Sequence, residues 1–147
     1  MLFADLINFG KPYSDRASEF KDIKFNIDDV IAIHARKVSL GEYIAHLLPL
    51  NGIQDINYCM SIILGEDFLS VYKSLLASDH VPKPIGELFP LTISEVDALF
   101  QLRHLYCHEL APKVPVQPRK VEQYISSTAT FVWYTEELIQ SRFLNDA

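Results

Sequence analysis

Cysteine is scarce in this chain. Cys59 and Cys107 are the only two, and they form neither a Cys-x-x-Cys pair nor a zinc-type spacing. A disulfide framework and a thiolate zinc site are therefore not expected, and the two read as reduced thiols of a cytoplasmic protein. Long apolar runs are missing as well. No stretch approaches the ~18 residues that a membrane span needs, so no membrane partner is expected. Met1-Leu2-Phe3-Ala4-Asp5 has no basic segment and only a short apolar run, so a secretory signal is not expected either. Positive charge is outnumbered: Lys and Arg total 13 against 19 Asp and Glu, a net charge of −6, which argues against a protein that coats nucleic acid indiscriminately. There is no internal repeat and no low-complexity segment, and apolar and polar residues nowhere alternate for long, so strand signals are weak.

What is present is helical. With 147 residues, 49% hydrophobic and 22% charged, the chain reads as one domain spanning residues 1–147, able to bury its own core. Asn26 is placed to cap a helix from Ile27 to Lys37, with Asp28 and Asp29 in its first turn favouring the dipole. Ser39 and Glu42 have capping-box spacing, and Pro49 closes the helix they open. Further helices are expected over Ile53 to Leu64, stopped by Gly65, and over Glu66 to Ala77. Residues 78–91, with Pro82, Pro84, Gly86 and Pro90, read as a loop. Thr92 and Glu95 form another capping-box pair, opening a helix from Ile93 to Leu110. After Pro112 and Pro115, Pro118 suits the first position of a last and longest helix reaching about Phe143. On that helix Val121, Tyr124, Ile125, Thr128, Phe131, Val132, Thr135, Leu138 and Ile139 recur at three- and four-residue steps, the pattern of a core face. The small residues Ser126 to Thr130 would let a second helix approach closely or form a polar face. The fold class is all-α, a single helical bundle of about five or six helices.

The helix over residues 93–110 carries the chemistry. At ~100° per residue, Asp97, Gln101, His104 and His108 share one stripe, while Val96, Leu99, Phe100, Cys107 and Leu110 share another. Arg103 falls within the apolar stripe, where a guanidinium needs a partner or a route to water. One reading makes it an anchor for a neighbouring helix. The other begins from its two-point affinity for phosphate and from the ability of imidazole to exchange a proton near neutral pH. Residues 101–120 add local positive charge, with Arg103, Lys113, Arg119 and Lys120 against Glu109 alone. His104 and His108, four apart, have a spacing that can hold a metal, but Glu109 is ~100° round from His108 and two ligands make a poor site. Adjacent Cys107 and His108 diverge by the same angle, which disfavours a nucleophile–base pair and leaves Cys107 as core packing. His34, His46 and His80 are scattered.

The hexapeptide Arg103-His104-Leu105-Tyr106-Cys107-His108 resembles the R-x4-6-H motif of HEPN domains, in which a polar residue often follows the arginine, as His104 does here. Its place, late in a helix and ahead of a loop and one final helix, is similar too. The resemblance implies a compact, commonly dimeric helical domain. It implies a metal-independent endoribonuclease of toxin or phage-defence type, working through a 2′,3′-cyclic phosphate without a cofactor. Arg103 would stabilise the phosphate, His108 would move protons and His104 would support or orient. Lys113, Arg119 and Lys120 would add contacts to RNA. The implied partners are a second copy in a homodimer, RNA and a regulatory or antitoxin protein. Some HEPN toxins carry a tyrosine two residues after the histidine as the point of antitoxin modification; Leu110 stands there instead. Other HEPN domains are non-catalytic modules for dimerisation or RNA binding, and that is the alternative function.

Overall fold

Local capping chemistry decides much of where this chain turns helical. The computed structural model describes residues 2–20, 23–76, 89–108 and 117–146. Among them are eight α-helices and no strand, so the all-α class holds. In order they are α1 (Leu2–Phe9), α2 (Tyr13–Arg16), α3 (Ile27–His34), α4 (Leu40–Leu47), α5 (Ile53–Leu64), α6 (Phe68–Leu76), α7 (Phe89–His108) and α8 (Pro118–Asp146), with a 3-10 turn at Ala17–Glu19. The expected number of five or six is corrected upward. The additional pair, α1 and α2, is short and carries no capping pair, so nothing local announces it.

Two compact units divide the chain: Met1–Leu50 with Ile56–Phe68, and Asn51–Asp55 with Leu69–Ala147. In the first, both expected caps form. The Asn26 side chain accepts from the Asp29 amide and Asp29 accepts from the Asn26 amide, each at 2.9 Å. Ser39 and Glu42 are reciprocal in the same way. Asp29 also accepts from the Tyr43 hydroxyl of α4, and the Tyr43 ring stacks on Phe25 with centroids 5.1 Å apart. These two contacts tie the start of α3 to α4, although α3 buries none of its own residues.

Helix α1 crosses α4 at Gly41. A Cβ built there would lie 2.9 Å from the Ala4 Cα and closer still to its carbonyl oxygen, so only glycine allows this approach. Asn8 secures the crossing, accepting from the Gly41 amide and donating to the Ser39 hydroxyl. The end of α5 is held by Arg16, whose guanidinium donates to the carbonyls of Ile63 and Leu64, groups that lack intrahelical partners. Gly65 follows with φ of +75°, the left-handed residue expected to stop this helix. Leu6, Ile7, Tyr13, Ile63 and Phe68 are almost fully buried in this unit.

The second unit is dominated by α7 and α8, which at 20 and 29 residues are the longest described helices. Pro118 begins α8, as anticipated. Helix α7 begins at Phe89, not Ile93, and runs through Pro90, whose missing N–H costs nothing in a first turn. Thr92 and Glu95 are therefore not a cap but buried residues inside the helix. The stripe on α8 is half right. Phe131, Thr135, Leu138 and Ile139 are buried, joined by Tyr134, but Val121, Ile125 and Val132 are exposed. Periodicity identifies a face; it does not say how far along the helix something covers it.

Two outcomes follow for the first unit. Gly41→Ala should lower stability by about 2 kcal/mol or more, since the clash is with backbone; urea denaturation measures it. The Tyr43 hydroxyl and then the Asn26 amide hold the Asp29 carboxyl below its ordinary range. The native state thus binds this proton less readily than the unfolded chain, so its stabilising effect is present above about pH 4 and fades as pH falls through the lowered native value. Tyr43→Phe should shrink that acid-sensitive component, read as a flatter loss of stability between pH 5 and 2.

Candidate functional site

Glu95 organises α7 against α8. Its side chain is only 6% exposed. The Ser127 hydroxyl donates to Oε2, and the Lys120 ammonium stands 3.4 Å from Oε1. Ser127 belongs to the small-residue run, which thus brings α7 close while Ser126 and Ala129 of the same run remain exposed. Lys120 also sits 5.1 Å from the centroid of the Tyr124 ring, a cation–π separation. Its charge is therefore shared between a carboxyl group and an aromatic face, while Arg119 beside it is exposed.

Beyond this seam the two helices are open to solvent. No residue of 101–107 or 117–126 is buried. Of the stripe formed by Asp97, Gln101, His104 and His108, the first three line one open groove of about 580 Å³, with Ser94 and Leu105 from the same helix and Tyr124 across from them on α8. Asp97 is half-buried, and its Oδ1 lies 3.9 Å from where a side chain on Gly52 would begin. Neither the Asp97 nor the Gln101 side chain hydrogen-bonds or ion-pairs with another described residue. Tyr124 and Glu95 are what sequence reasoning missed here. Spacing alone puts Tyr124 on a core face and makes Glu95 a cap; only the pairing of α7 with α8 reveals either role.

The motif residues are placed as follows. Arg103 is exposed, and its side chain makes no hydrogen bond or ion pair with another described residue. It is therefore not an anchor within the described structure, and the apolar stripe around it has thinned, with Leu99 and Phe100 only half-buried. His104 is exposed at the groove. Cys107 is exposed, correcting its expected core role: at this end of α7 nothing described covers the stripe. His108 is the last residue of α7 and its side chain lies outside the described residues, as do Lys113, Glu109, Leu110 and His80. Among the described residues no three His, Cys, Asp or Glu side chains are grouped to hold a metal ion. No described helix is long and apolar enough to cross a membrane.

Comparison with protein-family models, with curated proteins and with solved structures gave no match.

Removing the buried acid tests the seam. Glu95→Ala should strand the Ser127 hydroxyl and open a void, costing about 1–3 kcal/mol in a denaturation experiment. Glu95→Gln, which keeps shape and can still accept from Ser127, should cost less.

Proposed function

We propose that the chain is a metal-independent endoribonuclease of HEPN type, acting through Arg103 and His108. What supports this is the motif turn of α7: Arg103 is exposed and unpaired among the described residues, as a phosphate-binding guanidinium must be and a structural anchor need not be. His104 on the next position, and Arg119 on α8, add exposed groups suited to a polyanion.

The chemistry needs only what RNA and these side chains supply. The 2′-oxygen attacks the adjacent phosphorus as its proton passes to a base, the role given to His108. The bond from phosphorus to the 5′-oxygen breaks, and that oxygen takes up a proton. The products are a 2′,3′-cyclic phosphate and a 5′-hydroxyl. Arg103 stabilises charge on the phosphoryl oxygens, and His104 orients the site. A cleft between two copies would bring the motif of each chain to one strand, so a symmetric homodimer is part of the reading. A non-catalytic RNA-binding or dimerisation module is the alternative, and the same exposure of Arg103 serves it. A cytoplasmic setting and a regulatory or antitoxin partner complete the proposal.

The experiment is RNA cleavage in EDTA. Products should end in cyclic phosphate and DNA should survive. Arg103→Ala should slow cleavage by about 10²–10³. His108→Ala should slow it by about 10²–10⁴. Both variants should keep the helical circular dichroism of the parent. Binding of RNA without cleavage would favour the module; full activity in His108→Ala would reject the mechanism. Sedimentation at micromolar concentration should show a dimer, and a monomer alone would remove the composite cleft.

A further inference from the structure

The groove beside the motif turn has a chemistry of its own. It offers a carboxylate and an amide one turn apart on α7, Asp97 and Gln101, facing a half-buried aromatic ring, Tyr124, on α8. Asp97 and Gln101 are not committed to other described residues. Arg103 is on the same turn as Leu102 and His104, which line the groove, but it projects from the neighbouring stripe of α7 and is not itself part of the lining. The groove is open to solvent and, at about 580 Å³, has room for one planar base.

From this arrangement we infer that the groove is a guanine-selective base subsite. It rests on the ribonuclease reading for its place beside the scissile phosphate. A carboxylate only accepts hydrogen bonds, so the base must present donors. Guanine alone presents two adjacent ones, N1–H and the N2 amino group, next to the acceptor O6. Asp97 accepts from the two donors and the Gln101 amide donates to O6. Adenine sets N1, an acceptor, against the carboxylate. Uracil flanks its single N3–H with two carbonyl oxygens, and cytosine offers one amino group beside an acceptor nitrogen. Each of these leaves a repelled lone pair at Asp97, which is how a site rejects a wrong partner. Tyr124 supplies a stacking surface for the base, held in place by Lys120 over its ring.

The test is NMR titration of the full chain with GMP, IMP, AMP, CMP and UMP to millimolar concentration. GMP should bind about tenfold or more tighter than AMP, CMP or UMP. IMP, which lacks the N2 amino group, should fall between. In Asp97→Asn, with unchanged circular dichroism, the preference for GMP should disappear. Equal binding of all five, no binding of GMP, or a GMP preference that survives Asp97→Asn would each overturn the inference. The cleavage assay separates it from the reading it rests on. RNA cut without regard to guanosine, and no GMP preference, removes the subsite and leaves the ribonuclease. A GMP preference that depends on Asp97, in a protein that cuts nothing, keeps the base site and removes the ribonuclease.

Discussion

A buried acid sets the register of the α7–α8 pair. A carboxyl group withdrawn from water is costly unless its oxygens are satisfied. Glu95 is satisfied by α8 alone, through the Ser127 hydroxyl and the Lys120 ammonium. Those two residues are seven apart, two turns of one face, so a single position of α8 serves both. Sliding α8 by one residue would turn that face by ~100° and strand the acid. Tyr124 lies one turn before Ser127, and Asp97 lies two residues after Glu95, so the same constraint decides which side chains meet across the groove.

The first unit is controlled by steric closeness and by a cation. Gly41 lets α1 and α4 approach until main chain meets main chain, and Asn8 converts that proximity into two hydrogen bonds. Arg16 completes the end of α5 by supplying donors to carbonyls that a helix terminus leaves open. Polar groups thus specify geometry in both units, while Leu6, Ile63, Phe68, Tyr72 and Ile139 supply the apolar burial.

How much was readable beforehand depended on how local each cause was. The Asn26–Asp29 and Ser39–Glu42 boxes satisfy backbone groups three residues away, and both could be read directly. Thr92 and Glu95 have the same spacing, yet Glu95 serves α8, because tertiary demand outweighed a local option. The stripe of Asp97, Gln101 and His104 is a property of one helix and was legible. Tyr124 opposite it depends on the pairing of two helices and was not. Burial along α8 failed for a related reason. The spacing of Val121, Ile125 and Val132 is correct for a core face, but exposure depends on what lies over each turn. Arg103 differs again: its oddity on an apolar stripe was visible, and its exposure resolves the oddity, since water reaches the guanidinium there.

The distribution of the two thiols also makes the molecule convenient to instrument. Cys59 is enclosed at 3% exposure, whereas Cys107 is open, four residues beyond Arg103 on the same helix. Maleimide chemistry proceeds at an accessible thiolate and spares an enclosed one. The native chain will therefore accept one fluorophore or spin label next to the motif turn without an engineered cysteine. Changes in that label's mobility would report directly on what settles against this end of α7.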